Sequence, residues 1–328
     1  MSSLETFVRA FREAAPYVHA HRGKTAVIAF GGEAFTDPAE LTILVNDIAV
    51  LHALGLRMVL VHGARPQVNA RLGKSSADDP GDSAHRVTDE ATLAALKDAV
   101  GALRIDLEGL LSMGMANSPM ANARLRVAAG NFVSARPMGV VDGVDYQRTG
   151  LVRRVDAEGI RQRLDSGAIV LLSPIGYAVT GGAYNLRFAD VAAAAAAELE
   201  ADKLILLVEG QNPLDVLPPQ LALDRIDGAL PTDLEPGLAA NVAVCMDALR
   251  SGVKRAHLVP RSGDGALLTE LFSRDGAGAM ITASTYEDLR RAEARDVGGL
   301  LRLIRPLADA GNLVERPRRL LERKIQDF

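Results

Sequence analysis

Hydrophobic positions follow two alternating patterns along the chain. Runs of four to six mostly apolar residues, typical of strands buried on both faces, lie at 25–30, 57–62, 168–172, 203–208 and 256–259. Stretches with helical periodicity precede these runs, for example 40–54 and 191–201. Buried strands that alternate with helices predict an α/β fold, a three-layer α/β/α sandwich around a mainly parallel sheet.

The segment before the first strand has the periodicity of an amphipathic helix. Within residues 3–21, apolar side chains recur at three- and four-residue steps, and they are Leu4, Phe7, Val8, Phe11 and Val18. A helix with such a face ahead of a compact domain needs a surface to bury it against. We therefore expect residues 1–22 to mediate the assembly of a homo-oligomer.

Two later segments break the alternation of strands and helices. Between about 125 and 155, short segments separated by glycines predict hairpins above the sheet. Residues 211–237 are rich in proline and acidic residues and predict loops at the edge of the domain. After Ile281 the sequence predicts a connector and two helices, which are too short to form a core of their own.

The composition narrows the range of functions. The 328 residues are 48% hydrophobic and carry a formal net charge of -4, so they can bury a large core but offer no dense basic surface for nucleic acid. No secretory leader or membrane-spanning run is visible, and Cys245 is the single cysteine. We therefore expect a cytoplasmic protein that binds neither nucleic acid nor membranes and has no disulfide framework.

Two strand ends carry the first candidate site. The first apolar run stops at Gly31 and Gly32, and the second is followed by Gly63. Parallel sheets bind ligands at the carboxyl ends of their strands, and glycine lets bare backbone approach a ligand.

The six histidines show no zinc spacing, so no metal is expected, and Cys245 lies in an apolar helical pattern typical of a buried structural thiol.

These glycine turns belong to a longer set of motifs. Together with HRVTDEATL at 85–93, YNLRFADVAAAAA at 184–196 and ADKLILL at 201–207, they resemble the amino-acid kinase family over residues 24–282. The acetylglutamate branch of arginine biosynthesis is the most similar part of that family. The resemblance implies the family's fold and a phosphoryl-transfer site that includes Gly31, Gly32, Gly63, Arg86 and Asp190.

The residues that move phosphate in such kinases are changed here. The lysine that precedes the glycine pair is Ala29, a later lysine is Asn241, and the Asn-Ala-Asp motif reads Phe188-Ala189-Asp190. The second turn reads His-Gly-Ala-Arg from His62 instead of His-Gly-Gly-Gly, so side chains fill the approach. Because cations stabilise the transferring phosphoryl group, we expect this site to be vestigial and without kinase activity.

The segment 257–281 resembles the arginine-binding signature of arginine-sensitive members of the same family. Its matching positions are a histidine at a strand end, a Glu-Leu-Phe sequence and a spaced Gly-x-Gly, which are His257, Glu270, Leu271, Phe272, Gly276 and Gly278. The resemblance adds Tyr17 of the N-terminal helix, which would help to close the site. It implies L-arginine as an allosteric inhibitor, with Glu270 holding the guanidinium and backbone amides at the Gly276 and Gly278 turn holding the carboxylate.

The last forty residues, 289–328, resemble the opening strand and two helices of the acetyltransferase domain that follows such a domain in bacterial N-acetylglutamate synthases. We expect three parts: an oligomerisation helix at 1–22, an arginine-sensing domain at 23–282 and an incomplete acetyltransferase start at 283–328. The Arg/Gln-x-x-Gly-x-Gly/Ala turn that holds the pyrophosphate of acetyl-CoA is not found in the sequence. We therefore expect no catalytic residue in this chain and no activity of the chain alone.

The resemblance to the N-acetylglutamate synthase family implies an overall activity. Such enzymes transfer an acetyl group from acetyl-CoA to L-glutamate, L-arginine inhibits them, and similar arginine-sensitive relatives form hexamers. Two alternatives stay open, a stand-alone arginine-binding module and an acetylglutamate kinase. Arg86 supports the kinase because it matches a residue that grips the acylglutamate carboxylate, but an arginine there also suits a structural ion pair.

Overall fold

The chain divides into two compact units, residues 1–284 and 285–328. The computed structural model describes residues 3–74, 85–112, 121, 123, 125–226, 230, 231, 233–283, 297, 298 and 301. All the helices and strands named below belong to the first unit. The expected acetyltransferase start lies almost entirely outside the described residues.

The first unit is built around an eight-stranded sheet. The strands of the described residues are β1 (Thr25–Phe30), β2 (Arg57–His62), β3 (Arg126–Ala129), β4 (Val133–Pro137), β5 (Val140–Val141), β6 (Val144–Asp145), β7 (Gly150–Val155), β8 (Ala168–Leu172), β9 (Ile175–Tyr177), β10 (Ala183–Asn185), β11 (Lys203–Val208), β12 (Gln220–Ala222), β13 (Arg255–Pro260) and β14 (Ala279–Thr282). The order in the large sheet is β12-β14-β13-β11-β1-β2-β8-β3. Its neighbours pair in parallel, except that β13 and β14 pair antiparallel.

Helices cover both faces of this sheet. The α-helices of the described residues are α1 (Ser3–His21), α2 (Pro38–Ala53), α3 (Arg65–Leu72), α4 (Glu90–Ser112), α5 (Ala157–Asp165), α6 (Phe188–Glu198), α7 (Pro213–Val216), α8 (Pro236–Arg250) and α9 (Ala266–Phe272). Along β1, Val27 and Ala29 belong to the core that α5, α6 and α8 cover, whereas Ile28 and Phe30 belong to the core that α2, α4 and α9 cover. The predicted three-layer α/β/α sandwich is therefore confirmed.

Local signals explain where two of these helices begin. Asp37 precedes α2 and its side chain accepts a hydrogen bond from the Ala39 amide at 2.8 Å, while Pro38 occupies the first turn. Asp156 caps α5 in the same way, through the Gly159 amide at 3.0 Å. Side-chain caps of this kind satisfy amides that have no partner inside the helix.

The five predicted strand runs are confirmed as β1, β2, β8, β11 and β13. The hairpins expected between 125 and 155 are present as β4 with β7 and β5 with β6. The expectation of loops at 211–237 is wrong in part, because that segment contains α7 and the edge strand β12. Leu217 and Leu221 are buried in the core on the α6 side, and their burial holds this proline-rich segment on the sheet.

The predicted N-terminal helix is present as α1, and its two ends differ in burial. His21 at its C-terminal end is buried, whereas Leu4 and Phe11 are 71% and 67% exposed. The first part of the helix therefore presents apolar side chains to solvent. Among the described residues, no helix combines the length and the apolar character that crossing a membrane requires.

Candidate functional site: a remnant turn and a buried histidine–glutamate pair

The two glycine turns lie against each other at the carboxyl ends of β1 and β2. A Cβ atom on Gly63 would lie 2.9 Å from the Gly32 nitrogen, so the two backbones are in direct contact and Gly63 cannot carry a side chain. Gln67 Nε2 donates a hydrogen bond to the Gly32 carbonyl at 2.7 Å. Both turns are therefore packed against protein.

The positions that would carry charge in a kinase are neutral or already engaged. Ala29 is fully buried in β1 and brings no cation to the turn. Asp190, at the start of α6, lies 3.1 Å from His85 Nε2 and 3.2 Å from Arg187 Nε. Among the described residues, the acidic group therefore pairs with these two neighbouring side chains and not with a lysine.

Arg86 lies at the same end of the sheet and donates a hydrogen bond to Asn69 Oδ1. The cavity beside it, lined by Gly63, Arg86 and Phe188 among others, has a volume of about 50 Å³. Pockets for drug-sized ligands usually occupy about 300–1,000 Å³. This cavity is smaller than that range.

The segment predicted to bind arginine forms β13, α9 and β14 and brings His257 against Glu270. His257 Nδ1 donates to Glu270 Oε1 at 2.5 Å, and the two side chains are 3% and 4% exposed. The other carboxylate oxygen, Oε2, accepts hydrogen bonds from the amides of Ala277 and Gly278, each at 2.8 Å. Glu270 therefore joins the strand, the helix and the return loop in one buried cluster.

The two glycines of the return loop allow it to wrap around this carboxylate. Gly276 has φ +69°, in the left-handed region, and a Cβ atom there would lie 2.6 Å from Glu270 Oε2. A Cβ atom on Gly278 would collide with the Leu258 carbonyl. Amides at this turn were expected to hold a ligand's carboxylate; in the structure, the amides of Ala277 and Gly278 bond to Glu270 instead.

Lys203, which the sequence analysis missed, opens β11 beside His257. Its Nζ lies 3.4 Å from His257 Nε2, and the residue is 5% exposed. An ammonium group can only donate, so Nε2 is the acceptor and the ring, which donates from Nδ1 to Glu270, is neutral. Lys203 could have been recognised from the sequence, because it is the single charged residue in the otherwise apolar run KLILLV and lysine is rarely buried without a partner.

Burial decides the ionisation of this cluster. Burial lowers the pKa of Lys203 to about 8, and the nearby Arg255 acts in the same direction. Burial also lowers the pKa of His257, although its bond to Glu270 opposes that shift. Burial alone would raise the pKa of Glu270, but the hydrogen bonds from His257 and the two amides outweigh it and keep that pKa below its usual range. At neutral pH the cluster holds a carboxylate, a neutral imidazole and an ammonium.

Helix α1 reaches the same cluster through His21, another residue that sequence reasoning missed. His21 Nε2 donates to the Leu271 carbonyl at 2.7 Å, and its ring lies edge-on to Phe272 with 5.6 Å between centroids. Burial lowers the pKa of His21 to about 4, so that the ring is neutral at pH 7. The predicted Tyr17 is half-buried one helical turn earlier, on the same face of α1 as His21.

The predicted arginine-site residues thus meet to different degrees. His257 and the amides of the glycine loop contact Glu270 directly, because they donate hydrogen bonds to its carboxylate. The Leu271 side chain lies in the hydrophobic core beside the sheet, and its carbonyl accepts the hydrogen bond from His21 of α1.

The structure was also searched for metal-binding groups. Among the described residues, no group of three or more acidic, histidine or cysteine side chains is arranged to hold a metal ion. Cys245 is buried, as expected for a structural thiol, and burial raises its pKa.

Comparisons with known proteins agree with this architecture. Residues 24–211 match the amino acid kinase family. The chain is 48% identical to an amino-acid acetyltransferase from Azotobacter vinelandii, with 99% of this chain and 76% of that protein covered. It is 47% identical to an amino-acid acetyltransferase from Ralstonia nicotianae, with 99% and 72% covered.

Solved structures give the same result. N-acetylglutamate synthase from Neisseria gonorrhoeae, complexed with coenzyme A and L-arginine, is 33% identical with a TM-score of 0.79, and 97% of this chain and 74% of that chain are covered. Carbamate kinase from Giardia lamblia shares only the fold, at 17% identity and a TM-score of 0.55 over 79% of this chain and 98% of that chain. The chain belongs to the amino-acid acetyltransferase family.

Proposed function

We propose that this protein is an N-acetylglutamate synthase, which transfers an acetyl group from acetyl-CoA to L-glutamate and is inhibited by L-arginine. The observation that carries the proposal is 48% identity over 99% of the chain to an amino-acid acetyltransferase. A second support is the similarity to a synthase structure complexed with coenzyme A and N-acetyl-glutamate, at 34% identity and a TM-score of 0.75 over 97% of this chain and 73% of that chain. We place the activity in the cytoplasm.

The reaction joins the amine nitrogen of glutamate to the thioester carbon of acetyl-CoA. The carbon–sulfur bond breaks, the thiolate of coenzyme A leaves, and the proton that the amine gives up ends on that thiolate to form the free thiol. We propose that residues 23–282 regulate this reaction and that the groups that carry it out follow in the acetyltransferase domain, which begins at 283–328. The described residues of 23–282 support this division, since their kinase-like site is occupied by protein and lacks the lysine that Ala29 replaces.

We propose that L-arginine binds at the cluster of Lys203, His257 and Glu270. An ionised carboxylate has about four acceptor positions, and three hydrogen bonds to Glu270 leave one for a guanidinium. Lys203 donates to His257 and keeps further N–H groups for the ligand's carboxylate. Phe272 and Tyr17 would enclose the aliphatic stem.

Helix α1 lies where it could link the proposed arginine site to a contact between subunits. Its C-terminal end contacts α9 through His21, and its first part exposes Leu4 and Phe11. We propose that this exposed face packs against another subunit and builds a homo-oligomer, with a hexamer as the expected form. Arginine bound beside His21 would then alter the angle at which α1 leaves the domain.

Glutamate-dependent release of coenzyme A from acetyl-CoA, measured on the native gene product with a thiol reagent, tests the proposed activity. We expect release that requires L-glutamate and that falls when L-arginine is added. Release without glutamate dependence, or glutamate-dependent release that arginine leaves unchanged, would contradict the activity or its regulation, respectively.

A further inference from the structure

A second cavity, of about 230 Å³, lies between α2 and the start of α9, beside the carboxyl ends of β11 and β13. Parallel sheets place ligand sites at this end of their strands. Apolar side chains form much of its wall, and three carboxylates line it as well: Glu40, Asp47 and Asp264. None of these residues belongs to the kinase-like turns or to the cluster around Glu270.

Asp47 is out of place in the pattern of its own helix. It lies between Leu44 and Ile48 on the inner face of α2 and is only 7% exposed. Among the residues that the structure describes, none forms a hydrogen bond or an ion pair with its side chain. Burying an ionised carboxylate without a partner is costly, so a residue used only for packing would be apolar here.

The charged groups around Asp47 do not neutralise the negative charge of its carboxylate. Arg261 also lines the cavity, but its guanidinium already pairs with Glu40 and Glu209. Burial, together with the like charge of Asp264, raises the pKa of Asp47 to about 6. At pH 7.5 Asp47 is still mostly ionised, and the cavity holds more negative than positive charge.

We propose that this cavity binds a small organic cation, an alkylammonium ion whose charged head pairs with Asp47. Leu44, Leu207 and Leu267 line the same cavity and would cover the methylene groups of such a ligand. An inorganic ion suits the site less well, because no group of three acidic, histidine or cysteine side chains among the described residues is arranged to hold a metal. The inference is independent of the arginine site.

Titration calorimetry with 1,4-diaminobutane tests this proposal on the 328-residue protein at pH 7.5 and low salt. Phosphate buffer is needed because Tris is itself an organic cation. We expect saturable binding at one site with a Kd of about 1 mM or tighter, and at least tenfold weaker binding by Asp47→Asn. Asp106→Asn removes an exposed carboxylate on α4 and should bind as the wild type does. The neutral analogue 1,4-butanediol should give no saturable heat.

Proton release and thermal melting provide two further tests of the alkylammonium site. Binding should release protons at pH 6 in the wild type and not in Asp47→Asn, because the cation favours the ionised carboxylate. Asp47→Asn should also melt no lower than the wild type, since it removes an unpaired buried charge. No saturable heat at 20 mM diamine, equal binding by Asp47→Asn, a large loss of stability in that variant, or Asp47-dependent binding of Mg²⁺ would each overturn the assignment.

Discussion

Replacing Glu270 with glutamine perturbs the cluster that joins β13, α9 and the return loop. In the wild type, one oxygen of Glu270 accepts from His257 at 2.5 Å and the other accepts from the amides of Ala277 and Gly278 at 2.8 Å. Glutamine has a single acceptor oxygen, so its NH₂ group must face either the imidazole N–H or the two amides. At least one charge-assisted hydrogen bond is therefore lost at a side chain that is only 4% exposed.

The expected cost follows from that count. A hydrogen bond to a charged group contributes about 1.5–3 kcal/mol, so Glu270→Gln should lower the free energy of unfolding by about 2 kcal/mol at pH 7. The pKa of Glu270 is lower in the folded state than in the unfolded state, so this contribution is present above the unfolded value and is lost as the pH falls through the folded pKa. The difference between wild type and variant should therefore shrink below about pH 4.

Urea unfolding followed by circular dichroism at pH 7 and pH 3.5 measures both effects. Glu198→Gln is the matched control, because Glu198 is exposed on α6 and its substitution should change the free energy by less than about 0.5 kcal/mol. Equal midpoints for wild type and Glu270→Gln at pH 7 would refute the reasoning. A difference at pH 7 that stays constant down to pH 3.5 would assign the effect to packing instead of charge.

Three further predictions concern the kinase-like site, α1 and the buried histidines. The protein should produce no ADP from ATP and acetylglutamate, because Ala29 and Asn241 supply no cation; acetylglutamate-dependent ADP formation would show this to be wrong. Deleting residues 3–20 should lower the number of subunits per particle, obtained by light scattering as the particle mass divided by the chain mass, and an unchanged number would assign α1 to its own subunit. Burial lowers the pKa of His21 and of His62 to about 4, so these two groups bind more protons in the unfolded state between about pH 4 and 6.5, and together they outweigh the opposite effect of Asp47. The melting temperature should fall as the pH decreases through that range, less steeply in His62→Gln, and a flat profile would contradict these shifts.

The layers of the fold could be predicted because they depend on patterns that are local in sequence. Strands buried on both faces, such as KLILLV at β11, leave a continuous apolar run, and a turn residue marks their end. The edge strand β12 could not be recognised this way, because its three residues lie in a segment rich in proline and its pairing with β14 is a distant contact.

The candidate site was predictable only where it resembles a known signature. His257, Glu270 and the two glycines lie close together in the sequence and match that signature, whereas Lys203 and His21 reach the cluster through tertiary contacts. The expected role of the loop amides stays a prediction, although Glu270 accepts hydrogen bonds from two of them. Sequence spacing indicates that glycines free the backbone, but not that Glu270 already occupies the amides.

Calorimetric titration of the protein with L-arginine and with L-citrulline tests the central claim most directly. Citrulline has nearly the same shape as arginine but carries a neutral ureido group in place of the guanidinium. We expect saturable binding of L-arginine at one site per chain, at least tenfold weaker binding of citrulline, and weakening of arginine binding by roughly ten- to a hundred-fold in Glu270→Gln. No arginine heat at millimolar ligand, or equal binding of arginine by wild type and Glu270→Gln, would contradict an arginine site built on the His257–Glu270 pair.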